Sequence, residues 1–305
     1  MQHLYTTEQI NRRISTEPAR FILDCEARFR SQVESLVDAV AGRPGTQLVM
    51  LAGPSSSGKT TTAKLMCEGF ARYGRPSQTI SLDDFYIDQS EMPCFEDGAP
   101  DYETVHALDI DAIVRCINQL MLEEKSLLPR FSFLTKRQAA EPVETTLAPG
   151  GVLIVEGLHA LNPLITDAIE SDAVTKVYVS VSSRILEQDA VVLTRRDLRF
   201  VRRMVRDYQF RNSPVDHTFY LWKGVRKGED RYLFPFRRFA DVCIDSIHPY
   251  EPCVFKGAAL PLLQEIPDGS VYAPGARAIE HKLTKFIAAD VSSVPKNSLL
   301  REFLG

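Results

Sequence analysis

The sequence predicts an α/β fold, a three-layer sandwich in which helices cover both faces of an open, mostly parallel sheet. Three observations carry that prediction. Short apolar runs of strand length alternate with stretches of helical periodicity along most of the chain, the pattern of a sheet built by crossover connections. One run, residues 48 to 52, is apolar at every position and enters Gly53 directly, as a strand buried on both faces does. The strand, helix and strand that begin there make one right-handed crossover unit.

The elements follow in order. Phe21, Ile22, Cys25, Phe29, Val33, Leu36, Val37 and Val40 recur at helical spacing over residues 17 to 41, before the breaker at residues 42 to 45. After the strand at 48 to 52, a helical pattern over residues 59 to 73 stops at Gly74, and residues 78 to 82 read as a second strand. Asp109 is placed to cap a helix with Ile110, Ile113, Val114, Ile117, Leu120 and Met121 on one side. Residues 152 to 155, 176 to 181 and 241 to 244 supply further strands. This organisation predicts an N-terminal helical segment (1–45) and a central domain (46–248) with a lid at about 190–238. A C-terminal helical extension (249–305), broken by prolines, is predicted to pack on the core.

With 305 residues, 44% hydrophobic and 25% charged, the chain can bury a large core. A formal net charge of -4 gives no bulk attraction to nucleic acid or anionic lipid, so no nucleic-acid partner is expected and any anion site must be local. No apolar run reaches the roughly 18 residues a membrane helix needs, and the first residues lack a signal-peptide core, so a cytoplasmic protein with no membrane contact is expected. The six cysteines include no Cys-x-x-Cys pair, which predicts reduced, mostly buried thiols. A homo-oligomer stays open.

Gly53-Pro54-Ser55-Ser56-Ser57-Gly58-Lys59-Thr60, followed by Thr61, matches G-x-x-x-x-G-K-[ST] between a buried strand and a helix. Glycines at both ends let the backbone curl its amides toward phosphate oxygens, and the following helix dipole adds to the field. Lys59 is expected to reach the β- and γ-phosphates of ATP, and Thr60 to offer its hydroxyl to Mg²⁺. The fold is therefore expected to be a P-loop nucleoside triphosphatase (NTPase) sandwich. The motif alone separates neither kinase from GTPase nor GTPase from motor ATPase.

Two acidic positions sit where ligands of open sheets bind. Glu156 ends the apolar run 152 to 155 and can hold a water of the Mg²⁺ shell. Asp83 and Asp84 follow the second strand, where a carboxylate can accept the proton of an attacking hydroxyl. Residues 194 to 208 form an amphipathic helix with Arg195, Arg199, Arg202 and Arg206 in one stripe and Leu198, Val201, Val205 and Tyr208 in another. It is expected to dock by its apolar side and present a row of guanidinium forks, with Arg203 and Arg211 close by.

Taken together, GPSSSGKTTT, SLDDFY, the strand-ending IVEG and the arginine-rich helical lid resemble the uridine kinase and phosphoribulokinase family of P-loop kinases, over about residues 48 to 246. The resemblance is strongest to a uridine kinase-like subgroup whose longer members carry a threonyl-tRNA synthetase-like region ahead of the kinase, a region not found here. It implies that Asp83 is the general base, that Glu103 reads the ribose hydroxyls, and that Tyr102 packs beside the sugar. It implies base recognition by the stretch from Pro129 to Lys136, where Phe133 fits, Phe131 lacks a hydroxyl and Lys136 stands in place of a histidine. Arg203, Arg206 and Arg211 match phosphate-touching arginines, and Ser213 replaces another. Trp222, Arg226, Gly228, Glu229 and Pro235-Phe236 resemble the subgroup's lid extension, with no chemical role assigned.

The expectation is thus a phosphotransferase acting on a small molecule with ATP and Mg²⁺, uridine or cytidine favoured. Catalysis would rest on Asp83, Lys59 and Arg206, ATP binding on residues 53 to 61 with Arg203 and Arg211. Substrate binding would rest on Asp83, Tyr102, Glu103, Phe131, Phe133, Lys136 and Arg203, and the metal on Thr60 and Glu156. The altered base-reading residues keep open another small alcohol as acceptor, and the basic helix keeps open a non-catalytic, RNA-linked ATP switch.

Overall fold

The structure is a computed structural model that describes residues 4–305 apart from 96, 97, 99, 133, 134 and 136. The chain opens with β1 (Leu4–Thr6), α1 (Thr7–Thr16) and α2 (Pro18–Ala41), then enters β2 (Gln47–Ala52), α3 (Lys59–Arg72) and β3 (Ser77–Ser81). Next come α4 (Ile110–Glu123), the short strands β4 (Lys125–Leu128), β5 (Phe131–Ser132), β6 (Arg137–Gln138) and β7 (Val143–Thr146), then β8 (Val152–Gly157) and α5 (Pro163–Thr166). β9 (Val174–Ser180), β10 (Arg184–Glu187) and β11 (Ala190–Leu193) lead into α6 (Arg195–Arg211) and α7 (Val215–Tyr232). β12 (Val242–Asp245), α8 (Glu251–Gln264), α9 (Ala273–Thr284) and α10 (Arg301–Leu304) complete it.

Five strands form one parallel sheet in the order β12-β9-β2-β8-β3. β2 and β8 are buried at every position, as central strands covered on both faces must be, whereas β3 lies at the margin and keeps the half-exposed Gln78 and Thr79. Side chains alternate between two cores. Val49, Leu51, Ile154, Val177 and Val179 face α2, α3, α6 and α8, while Leu48, Met50, Leu153, Val155 and Tyr178 face α4. Asp109 caps α4 by accepting from the Ala112 amide, as its position predicts.

The first of these cores draws on both ends of the chain. Phe29 and Val37 of α2, Phe255 of α8, and Leu299, Leu300 and Phe303 at the C-terminus are almost wholly buried in it. The cysteines depart from the expectation of mostly buried thiols: Cys25, Cys116 and Cys253 are buried, but Cys94 and Cys243 are exposed. Tyr208, expected in the apolar stripe of α6, is 44% exposed, because it follows the last residue of that stripe that the core reaches, Val205. No described helix is long and apolar enough to cross a membrane.

Candidate active site

The loop from Gly53 to Thr60 joins β2 to α3, at the carboxyl edge of the sheet. Gly53 can carry no side chain, since a Cβ there would stand 2.3 Å from the Val179 carbonyl oxygen. Ser56 and Gly58 adopt positive φ (57° and 88°), which turns the loop back over itself and into the first turn of α3. Pro54, Ser56 and Ser57 are buried beneath the loop, Lys59 is half-buried, and Thr60 is exposed at its mouth.

Strand register brings the acids to that mouth. β8 lies between β2 and β3, with Glu156 opposite both Leu51 and Ser81. Its Oε1 accepts from the Ser81 hydroxyl at 3.2 Å and lies 3.4 Å from Thr60 Oγ1. Burial raises the Glu156 pKa above the usual carboxylate range, with Lys59 pulling the other way. Asp83 is exposed on the 3-10 turn Leu82–Phe85, anchored by its amide donating to Ser81 Oγ at 3.4 Å. Among the described residues its carboxylate accepts no hydrogen bond, yet its charge is felt at Glu156, Glu103 and Arg211.

Asp84, half-buried, is held by its neighbours. It faces Arg130 at 4.0 Å, and Gln138 donates to its carbonyl and to that of Tyr86. Tyr86, which the sequence does not single out, sits between the two predicted substrate aromatics: 6.4 Å from Tyr102 at 71° and 5.5 Å from Phe131 at 49°, with its hydroxyl donating to the Tyr102 carbonyl. Glu103 lies nearby, its pKa pushed up to about 7 by burial against the pull of Arg203, with Glu229, Asp83 and Asp101 adding repulsion. Phe133 and Lys136 lie outside the described residues.

The arginines of α6 divide into two sets. Arg203 reaches the loop, donating to Ser55 Oγ at 2.9 Å, and Asp207 gathers Arg203 at 3.1 Å, Arg206 at 2.7 Å and Arg211 at 3.6 Å. The expected open row does not form. Arg199 is buried in a two-pronged pair with Glu229 (2.6 and 2.7 Å), and Arg202 in another with Glu251 (2.6 and 2.9 Å). A bare guanidinium cannot be buried in this core without a carboxylate, so half of the stripe ties α6 to α7 and α8 instead of facing a ligand.

Four further contacts were not legible from local pattern. Glu229 accepts from the Ser55 amide at 3.1 Å, so α7 touches the phosphate loop directly. Gly228 lets α7 lie on Glu103, since a Cβ there would be 2.2 Å from Glu103 Cβ. From the C-terminus, Leu299 packs on Gly58, and Glu302 accepts from the Thr61 hydroxyl at 2.6 Å. The only advance signal for these was the unexplained Gly228-Glu229 pair.

A loop that presents amides, a lysine and a threonine, faced by carboxylates and an arginine, is equipped to hold a triphosphate and an incoming hydroxyl. Comparison with known proteins agrees. The profile of the phosphoribulokinase / uridine kinase family matches residues 48–250. The uridine kinase of Oceanobacillus iheyensis is 29% identical over 199 residues, covering 65% of this chain and 85% of that protein. The uridine kinase of Brevibacillus brevis is 32% identical over 200 residues, covering 65% and 83%. The solved structure of a possible uridine kinase from Bacillus stearothermophilus is similar with a TM-score of 0.48 at 16% identity, covering 71% of this chain and 98% of that one. The family match spans well over half of the 305 residues and includes the phosphate loop together with Asp83, Glu103 and Glu156: this chain is a P-loop kinase of the phosphoribulokinase / uridine kinase family.

Proposed function

We propose that the protein transfers the γ-phosphoryl group of ATP to a ribose hydroxyl of a nucleoside, with uridine or cytidine the favoured acceptor. The observation that carries this reading is Asp83: an exposed carboxylate with no hydrogen-bond donor among the described residues, on the same rim as Lys59 and Glu156. It accepts the proton of the attacking hydroxyl while that oxygen bonds to the γ-phosphorus and the bridging oxygen leaves with ADP. Lys59 and Arg203 stabilise charge on the transferring group, and Arg206 and Arg211 stand behind them on Asp207. Glu103 and Tyr102 orient the sugar, and the Tyr86 and Phe131 rings offer a stacking wall.

Thr60 and Glu156 fit Mg²⁺. They are oxygen donors, one a carboxylate, at the mouth of the loop, and a hard ion that keeps most of its water needs few protein ligands. When bound, the ion would neutralise phosphate charge. Similarity to uridine kinases supports the nucleoside as acceptor.

ADP release measured across a panel of nucleosides and other small alcohols tests the reading. Turnover confined to nucleosides supports it, and turnover confined to a sugar phosphate or another alcohol replaces it. Phe131 favours the second outcome as the alternative, since a phenyl ring can stack on a base but offers no hydroxyl to read its edge.

A further inference from the structure

The lid extension that carries Trp222 and Arg226 borders a cavity of about 790 Å³ whose lining does not include Glu103. Pro54 of the phosphate loop, Tyr178, Trp222 and Phe234 form its apolar walls. Six arginines line the rest: Arg184, Arg195, Arg196, Arg199, Arg226 and Arg237. Two of them are spoken for, Arg199 by Glu229 and Arg196 by Asp230. The acid on the wall, Asp197, is taken by Lys282 at 2.8 Å and by the Thr194 amide at 2.9 Å.

Arg184, Arg195, Arg226 and Arg237 therefore converge on one cavity with no carboxylate in ion-pair range among the described residues. Arg195 Nε is buried without a hydrogen-bond partner, and Arg237 lies over the Tyr178 ring at 5.2 Å. The Arg195 cation is disfavoured by burial and then by Arg184 and Arg237. Four cations without an ion pair among the described residues, eased only at Arg195 by the charge of Asp245, are costly to hold together, and an anion between them removes that cost. Forked guanidinium groups match phosphate oxygens in pairs, and the volume is that of a small-molecule site.

We propose that this cavity is a second binding site, distinct from the phosphate loop, for a phosphorylated small molecule carrying two or more negative charges. Its walls are concave and its apolar rings can hold the body of a metabolite, which favours a small molecule over a nucleic-acid strand. Arg199 lines the cavity and also holds Glu229 against the Ser55 amide, so the site adjoins the phosphate loop both at Pro54 and through this side chain.

Inorganic pyrophosphate is the probe, titrated by calorimetry into protein whose phosphate loop is already saturated with a non-hydrolysable ATP analogue. Wild type should take up one further equivalent. The double variant R184Q/R226Q changes two exposed side chains and should bind it at least about tenfold more weakly. R184K/R226K should recover most of the affinity, and all three proteins should bind the ATP analogue alike. Absence of the second equivalent in wild type, or uptake unchanged in R184Q/R226Q, overturns the proposal. So does displacement of pyrophosphate by a single-stranded RNA that binds more tightly, since that outcome makes the surface a nucleic-acid site.

Discussion

Glu229 joins Arg199 to Ser55. Its carboxylate takes both terminal nitrogens of the Arg199 guanidinium, at 2.6 and 2.7 Å, and one of its oxygens also accepts from the Ser55 amide at 3.1 Å. Neither charged side chain is more than 2% exposed. Replacing Glu229 by Gln strands a buried cation and should cost about 3–5 kcal/mol of stability, read from the midpoint of chemical denaturation. The apolar pair R199M/E229L should recover most of that loss. A Glu229→Gln variant as stable as wild type would mean that the pair does not brace α6 against α7.

The two aspartates after β3 should respond differently. Asp83→Asn is expected to lower kcat by about 10² to 10⁴ while leaving the ATP affinity near wild type, because the group lost is a proton acceptor. Asp84→Asn should change kcat far less, since Asp84 holds its turn against Arg130 and Gln138. Steady-state kinetics and nucleotide titration on both variants check the contrast, and equal losses would reject it.

Glu103 gives the stability a pH dependence of definite sign. Its folded pKa, about 7, lies above its ordinary value of 4.5, so between those values the folded state holds more protons than the unfolded one. Its contribution is therefore intact below about pH 4.5 and is lost as pH rises through about 7, on the order of 3 kcal/mol at most. Denaturation of wild type and Glu103→Gln across that range should give curves that diverge as the pH rises, with wild type the less stable. Parallel curves would show that Glu103 does not titrate there.

Glu302 competes for the nucleotide's ground. Its carboxylate holds the Thr61 hydroxyl, within the run expected to meet phosphates, and would repel them. Glu302→Gln keeps the shape and removes the charge, so the KM for ATP should fall about fivefold, equivalent to about 1 kcal/mol. An unchanged or raised KM would show that this carboxylate does not oppose the nucleotide.

Much of this was legible in the residues. The apolar runs at 48 to 52 and 152 to 155 have no choice but a doubly covered sheet, and the loop between Gly53 and Thr60 carries its backbone chemistry in its own glycines. The helix cap at Asp109 is equally local, a side chain bonding an amide three residues on. In such cases the cause lies within a few residues, so spacing along the chain reveals it.

What tertiary structure alone decided was which charges are spent on one another. Arg199 and Arg202 look like Arg203 and Arg206 in the periodicity of their helix, but their partners Glu229 and Glu251 lie 30 and 49 residues away. Thr61 meets a carboxylate 241 residues distant, and the arginines around the cavity beside α7 come from four separate elements. Helical spacing ranks side chains by direction around one axis. Whether a charge faces a ligand, a solvent or a counter-charge depends on what the rest of the chain packs against that axis, and no local pattern contains that.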